Sequence, residues 1–136
     1  MRFSSQRALV EAYVAAAQTA RSTLAPAHLE HLRSFLAEDV TIRMASAWTH
    51  SPWRTVTTSA DELVTRLQAP INQAVSLTTE NLNVVEAGGE VFVEQLSTIR
   101  RDGRDQVSMV CHIFTVVDDR ITDIRAYRND LGIPAG

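Results

Sequence analysis

The chain has no lysine, and this absence limits its partners. All 13 of its basic residues are arginines, they form no basic run, and 16 acidic residues outnumber them to give a formal net charge of −3. Binding to nucleic acid phosphates requires clustered positive charge. We therefore expect no nucleic acid partner.

Cysteine, glycine, proline and long apolar runs are also scarce. A single cysteine, Cys111, excludes a disulfide within the chain. No apolar run approaches the roughly 20 residues that span a membrane, and the first residues lack the basic, apolar and small-residue order of a signal peptide. Five glycines and four prolines leave little material for long flexible segments. We expect a cytoplasmic protein without a membrane partner.

What remains is an ordinary globular composition. Of the 136 residues, 45% are hydrophobic and 21% are charged. This is enough chain to bury one substantial core, and no internal repeat or linker divides it. We expect residues 1–136 to fold as a single domain.

Strand patterns fill the second half of the chain. Its apolar runs are rich in Val, Ile, Thr and aromatic residues, which suit a half-buried sheet. Three turn signals, Gly88-Gly89, Asp102-Gly103 and Asp118-Asp119, separate these runs. The sequence therefore predicts four long antiparallel strands at 75–86, 91–101, 105–117 and 121–130.

Alternation along the third of these strands assigns its two faces. One face carries Ser108, Val110, His112 and Phe114, and the other carries Met109, Cys111, Ile113 and Thr115. Because both faces are largely apolar, we expect one to pack on helices and the other on another surface, such as a second subunit. No local feature of the strand explains a histidine at its middle.

Helical spacing of apolar residues dominates the first half. It predicts a helix at 6–20, a loop at 21–26, a helix at 26–37, a strand at 39–45 and a helix from Ser59 to near Pro70. Pro26 suits a first helical turn, and Ser59 with Glu62 forms a capping box. The whole pattern predicts an α+β fold with helices on one side of a curved sheet.

Two other clusters contain residues that bind ligands in many proteins. His28 and His31 lie three residues apart, but no third ligand is within sequence reach, so we expect no metal site. The segment 46–58 carries Trp48, His50 and Trp53, and its proline argues against a central strand. Two tryptophans in such a segment fold over an apolar surface, either as a lid on the core or as the wall of a binding cavity.

The order of these elements resembles the nuclear-transport-factor-2-like superfamily, and within it the SnoaL-like polyketide cyclases and ketosteroid isomerases. The resemblance covers nearly the whole chain and is carried by LVEAYVAAAQ, LRSFLAEDVTI and the closing VCHIFTVVDDRITDIRAYRND. It implies a cone-shaped fold, with three N-terminal helices packed on a curved, mostly antiparallel sheet and a pocket between them. Such folds serve enzymes, binding modules and interaction domains alike.

The resemblance also implies roles for individual residues. Tyr13 matches the tyrosine that ketosteroid isomerases use as an oxyanion donor, and His112 falls where they carry a protonated acidic donor. Some related dehydratases carry a catalytic histidine in their sheets. The pocket side of the sheet would present Gln95, Ser97, Ile99, Ser108, Val110, Phe114, Ile124, Ala126 and Arg128.

Three departures from these families concern the acidic residues. Met44 stands where the isomerases carry a general-base aspartate, and Ala126 stands where limonene-epoxide-hydrolase-like proteins carry an aspartate. The Arg and Asp pair of those hydrolases is replaced by residues among Gln95, Ser97 and Ile99. Neither steroid isomerisation nor that epoxide hydrolysis is therefore expected.

The remaining chemistry centres on His112, Tyr13 and Arg128. A neutral imidazole can exchange a proton near pH 7, the phenol can donate to an oxyanion, and the guanidinium can hold an acidic or enolate substrate. We expect substrate contacts from Met44, Trp48, His50, Trp53, Gln95, Ser97, Ser108, Val110, Phe114 and Ala126. The hypothesis is a cyclase, isomerase or dehydratase for a small hydrophobic carbonyl or polyketide-like molecule, without cofactor or metal.

Each of these residues has a purely structural alternative. His112 would be a buried histidine bonded to Tyr13 or a backbone carbonyl, Tyr13 would belong to the core, and Arg128 would pair with Glu11 or Asp130. The protein would then be a non-catalytic ligand-binding or scaffold domain. The superfamily resemblance further implies a homodimer through the convex face of the sheet, which carries Met109 and its neighbours.

Overall fold

The computed structural model describes residues 3–23, 25–46, 54–67 and 76–135, which contain three helices and six strands. In chain order these are α1 (Gln6–Thr23), α2 (Pro26–Arg33), β1 (Leu36–Ser46), β2 (Arg54–Thr57), α3 (Ala60–Leu67), β3 (Ser76–Ala87), β4 (Glu90–Arg101), β5 (Arg104–Val117) and β6 (Arg120–Ala135). The strands form one sheet in the order β2-β1-β6-β5-β4-β3. The α+β prediction with four long antiparallel strands is confirmed.

The sheet is antiparallel except between β1 and β6, which pair in parallel. This places the early strand β1 beside the last strand of the chain. None of the helices in the described part of the chain is long and apolar enough to cross a membrane.

The predicted ends of the first two helices are wrong. α1 continues to Thr23 through part of the predicted loop, and α2 ends at Arg33 instead of residue 37. Leu36 already belongs to β1, and the carbonyl oxygen of Phe35 accepts a hydrogen bond from the amide of Ile121 at 2.9 Å. The apolar spacing alone predicted a longer helix. Hydrogen bonding to β6 instead satisfies the backbone groups at the end of α2.

The strand β2 and the end of β6 also differ from the predictions. β2 forms within the segment predicted as irregular, whereas residues 47–53, with Trp48, His50 and Trp53, lie outside the described residues. β6 continues past Gly132, where the ordered chain was predicted to end, because the first residues of β5 pair with Pro134 and Ala135.

The local turn and capping predictions are confirmed. Asp102 and Gly103 both have positive φ, as do Asp118 and Asp119, which is the geometry of the hairpin turns expected there. At the start of α3 the amide of Glu62 donates to Ser59 Oγ at 3.1 Å. The Glu62 carboxylate accepts from the amide and hydroxyl of Thr58.

The core lies between α1 and the face of the sheet that we call the inner face. Two contacts fix the direction of α1 along β3: the amide of Arg7 donates to Glu86 Oε1 at 3.0 Å, and Thr79 Oγ1 donates to Gln18 Oε1 at 3.2 Å. The C-terminal end of α1 therefore lies near the beginning of β3. Buried core side chains include Leu9, Val10, Tyr13, Ala16, Ala20, Val91, Val93, Phe114, Ile121 and Ile124.

The opposite, outer face is less apolar than the sequence pattern implies. Ion pairs join Arg125 to Glu90 at 2.6 Å and Arg43 to Asp123 at 3.1 Å. Ile113, which pairs with Arg125 in the sheet, is buried beside them. The predicted apolar stripe on this face therefore continues only through Met109 and Cys111, which are half-buried.

Candidate active site

Strand register arranges the inner face in rows that grow more polar along the sheet. Residues that pair across adjacent strands point to the same face of the sheet, so each row contains one residue from each of β4, β5 and β6. The first two rows also contain a residue of β1. The first row is Val91, Phe114, Ile124 and Ile42, and the second is Val93, His112, Ala126 and Met44. The third contains Gln95, Val110 and Arg128, and the fourth contains Ser97, Ser108 and Asp130.

His112 occupies the second row among apolar neighbours. Its ring meets the edge of Phe114, with ring centroids 5.8 Å apart, and it makes no side-chain hydrogen bond to any residue that the structure describes. Burial chiefly, with the positive charges of Arg21 and Arg128, lowers the pKa of His112 to about 4. The imidazole is therefore neutral at pH 7, and among the described residues its nitrogen atoms have no hydrogen bond of the kind that the structural alternative requires.

Tyr13 reaches the same aromatic neighbour from α1. It is 8% exposed and packs edge-on against Phe114 and Phe35, at centroid distances of 5.6 and 6.2 Å. Burial raises the pKa of Tyr13 to about 12, and Arg21 opposes part of that rise. The phenol is both a core side chain and a neutral donor without a hydrogen-bond partner among the described residues. The ring of Phe114 thus touches both candidate catalytic side chains.

Arg128 brings positive charge to the third row. Its Nη2 donates to Ser108 Oγ at 3.3 Å, and Ser108 is fully buried. The predicted partner Glu11 instead pairs with Arg7 at 2.9 Å, on the exposed surface of α1. Arg128 therefore has a partner on the inner face, whereas the side chain of Asp130 lies outside the described residues.

The predicted polar contacts Gln95 and Ser97 are buried on the same face. Gln95 Nε2 donates to Asn81 Oδ1 at 2.9 Å, so its amide is held by the neighbouring strand β3. Val110 and Ala126 are buried and Met44 is half-buried in the second and third rows. The fold thus brings every described candidate to one face, and Trp48, His50 and Trp53 lie outside the described residues.

The sequence pattern did not predict Arg21 as a site residue. This residue was assigned to a loop, but it lies in the last turn of α1, close enough to Tyr13 and His112 for its charge to shift the pKa of both. Its side chain is exposed, so a ligand can reach it, and it forms no ion pair or hydrogen bond with a residue in the described ranges. Continuing the helical pattern beyond residue 20 was the signal that would have identified it.

Other reactive residues lie away from this face. Cys111 points to the outer face, where burial and then Glu94 raise the pKa of its thiol. His28 Nδ1 lies 2.6 Å from Thr23 Oγ1, and the ring of His31 packs on Phe35 with centroids 5.0 Å apart. Within the described ranges, no three His, Cys, Asp or Glu residues are grouped so that they could hold a metal ion.

Solved structures of other proteins share this fold. The chain is similar to an NTF2-like protein from Burkholderia xenovorans LB400, with 22% identity over 93% of this chain and 92% of that chain and a TM-score of 0.65. It is similar to a predicted polyketide cyclase from Xanthomonas campestris pv. campestris, at 20% identity over 90% and 92% of the two chains, with a TM-score of 0.64. An LEH-like epoxide hydrolase from M. tuberculosis is 17% identical over 85% and 81%, with a TM-score of 0.61.

Sequence comparison assigns the family. None of the curated proteins to which the chain was compared matches it. The family model of the SnoaL-like domain matches residues 10–124, which include most of α1, the whole of β5 and His112. The fold family of the solved structures includes isomerases, cyclases and epoxide hydrolases. The chain belongs to the SnoaL-like domain family.

Proposed function

We propose that this protein is an acid–base enzyme that cyclises, isomerises or dehydrates a small hydrophobic carbonyl compound in a cone-shaped pocket, without a cofactor. The observation that carries the proposal is the state of His112. Its imidazole is neutral, half-buried among apolar side chains and not hydrogen-bonded to any described residue. A titratable side chain whose pKa is shifted this far, on a face that also carries other polar candidates, is a candidate for acid–base chemistry.

The proposed reaction begins with a proton transfer. A nitrogen of His112 accepts a proton from the carbon next to the substrate carbonyl, the C–H bond breaks, and its electron pair forms an enolate. The Tyr13 hydroxyl donates a hydrogen bond to the enolate oxygen. The imidazolium then returns the proton to a second carbon, to a leaving hydroxyl, or to the alkoxide that ring closure produces, which gives the three reaction types.

The charges around the site favour the enolate more than they favour the imidazolium. Arg21 and Arg128 lower the pKa of His112 because their positive charges oppose a second cation nearby. The same charges attract an anion that develops in the pocket. The proton acceptor is therefore weak in the empty site and becomes stronger when negative charge is present beside it.

The first experiment looks for a small molecule bound to the purified protein. Native mass spectrometry of the purified protein, compared with a denatured sample, identifies any small molecule that copurifies, and that compound is then assayed for turnover. His112→Ala should lower the rate by roughly 10²- to 10⁴-fold, as expected for loss of an acid–base group, with little change in the melting temperature.

Cys111→Ala is the matched control, since Cys111 is adjacent in β5 and faces the opposite side of the sheet. This variant should keep the wild-type rate. If His112→Ala turns the substrate over as fast as the wild type does, the proposed role of His112 is wrong.

A non-catalytic ligand-binding or scaffold domain is the second candidate function. Two observations favour it: Met44 and Ala126 supply no carboxylate to the second row, and a histidine with a pKa of about 4 is a weak proton acceptor. Prolonged incubation separates the two candidates. A binding domain returns the copurified compound unchanged, whereas product that accumulates with time rules this alternative out.

A further inference from the structure

We propose that Arg21 is a substrate-binding residue that, together with Arg128 and Ser108, binds the carboxylate of a largely apolar acid. The apolar body of this acid would lie toward Phe114, so that its reacting carbon meets His112. This inference rests on the proposed function, whose substrate class it narrows from a hydrophobic carbonyl compound to one that also carries a carboxylate.

The packing of α1 on the sheet puts Arg21 at the polar end of the inner face. Gln18 contacts Thr79, which pairs with Ser97, and Ser97 pairs in turn with Ser108. Arg21 is one helical turn beyond Gln18, about 5 Å farther along the axis. It therefore lies at the same end as the fourth row, on the opposite wall from Arg128.

Arg21 also lacks the carboxylate partner that most of the described arginines have. Ion pairs with Asp or Glu are formed by Arg7, Arg33, Arg43, Arg66, Arg100 and Arg125. No such pair joins Arg21 to a described residue. The four rows contain one acidic residue, Asp130, which pairs with Ser108 in the sheet and whose side chain lies outside the described residues. In a protein of net charge −3, a guanidinium without a carboxylate partner among the described residues attracts an anion.

The change from apolar rows to polar rows along the sheet indicates the shape of the ligand. Neighbouring rows are two residues apart, which is about 7 Å along a strand. A carboxylate at the third and fourth rows is thus roughly 7–14 Å from the row of His112, a span that a bicyclic aromatic acid covers. Guanidinium groups bind carboxylates through paired hydrogen bonds, and Ser108 already holds Arg128 in place.

Binding such an acid would also change the proton acceptor. Arg21 and Arg128 lower the pKa of His112, so a carboxylate that offsets their charge raises that pKa toward its ordinary value. His112 would therefore be a stronger base when an acid is bound than when a neutral analogue is bound. This links recognition of the carboxylate to the proton transfer.

The test compares an acid with its neutral analogue. Binding of 2-naphthoate and 2-naphthamide to the full chain is measured by calorimetry at pH 7. The wild type should bind the acid at least tenfold more tightly, and Arg21→Gln should lose most of this preference while it keeps its affinity for the amide. Arg104→Gln is the matched control, because Arg104 is exposed at the β4–β5 turn, and it should behave as the wild type.

Equal affinity for the acid and the amide would overturn the inference, as would an Arg21→Gln variant that keeps the preference or a failure of both probes to bind at millimolar concentration.

A second measurement follows the ring protons of His112 by NMR during a pH titration. Arg21→Gln should raise the pKa of His112, naphthoate should raise it in the wild type, and naphthamide should leave it unchanged. An unchanged pKa in Arg21→Gln would contradict the placement of Arg21.

Neither measurement depends on turnover, so the two proposals can fail separately. If the acid is preferred but His112→Ala keeps its catalytic rate, the carboxylate site stands and the catalytic role of His112 fails. If His112→Ala is inactive but acid and amide bind alike, only the carboxylate inference fails.

Discussion

Its position within the sheet sets His112 apart from the other described histidines, which lie in α2. His28 hydrogen-bonds Thr23, and His31 is exposed and packs on one aromatic ring. His112 instead is half-buried between Val93 and Ala126 in the sheet, two apolar neighbours that offer no partner to a charged imidazolium. Its neutral state at pH 7 follows from this environment.

The buried histidine predicts a specific loss of stability in acid. The pKa of His112 is about 4 in the folded protein, below the value of about 6.5 expected when the chain unfolds. Between these two values the unfolded chain binds a proton that the folded chain does not, so the free energy of unfolding falls as the pH falls. Above this window His112 contributes no pH dependence.

Urea unfolding of the wild type and of His112→Gln from pH 7.5 to pH 4 checks this expectation. Relative to the variant, the wild type should lose up to a few kcal/mol across the window, most of it below pH 6. His31→Gln is the control and should follow the wild type, because His31 is exposed. Parallel curves for the wild type and His112→Gln would show that the folded protein does not resist protonation of His112.

The sequence predicted only part of the chemistry of the individual site residues. Alternation along β5 placed His112 and Ser108 on one shared face because strand geometry is local, and the family resemblance identified that face as the pocket side. The sequence could not show that His112 would form no side-chain hydrogen bond within the described part of the chain, or that Arg21 would approach it. Both facts depend on how α1 lies across strands that come much later in the chain.

At the scale of elements, the β5–β6 turn carries backbone strain. Asp118 and Asp119 have φ values of 51° and 60°, in the left-handed region that L residues other than Asn and Asp rarely adopt. Asp119→Gly should therefore stabilise the protein by roughly 0.5–1 kcal/mol, because glycine adopts this conformation without a Cβ penalty. Chemical denaturation at pH 7 measures the change.

Gly103 provides the opposite substitution in the preceding turn. Its φ is +73°, and a Cβ there would meet no atom within 4 Å, so only backbone strain opposes Gly103→Ala. That variant should lose roughly 1 kcal/mol of stability.

A destabilised Asp119→Gly variant would mean that the aspartate contributes to the β5–β6 turn beyond its backbone conformation.

The elements themselves were predictable where their signals are local. The three turns and the Ser59 cap depend on residues within four positions of one another, and all were found in place. The boundary between α2 and β1 was not, because Phe35 and Leu36 continue the apolar spacing of the helix. Pairing of this backbone with β6 settled where the helix ends.

For the whole molecule, we propose a homodimer through the outer face of the sheet. Phe92, Leu96, Met109 and Cys111 are half-buried there, and Tyr127 is 42% exposed beside Cys111. The ion pairs around Arg125 border this apolar area at one end. An apolar area with a polar border suits association with a second copy.

Sedimentation at micromolar concentration tests this association. The wild type should sediment with twice the chain mass of 15.1 kDa, and Met109→Asp should shift it toward the monomer because a charge on the apolar area opposes its burial. Thr65→Asp adds the same charge on the exposed surface of α3 and should stay dimeric. A monomeric wild type would contradict the proposed interface.

Features that arise over a few residues follow directly from the amino-acid sequence. Apolar alternation, turn chemistry and capping specify the four long strands, their inner and outer faces and the starts of the helices, because backbone geometry repeats over short distances. Alternation alone puts Ser108 and His112 on one face of β5, and the family resemblance adds Gln95 and Ser97 to that face.

The elements that lie opposite that face depend on packing between distant parts of the chain. The parallel pairing of β1 with β6 and the docking of α1 on β3 and β4 join segments far apart in the chain, and their free energy comes from burial that no single segment encodes. That packing half-buries His112, keeps its imidazole neutral and brings Arg21 toward Tyr13 and His112. The electrostatics of the candidate site are therefore a property of the fold, although its residues can be found in the sequence.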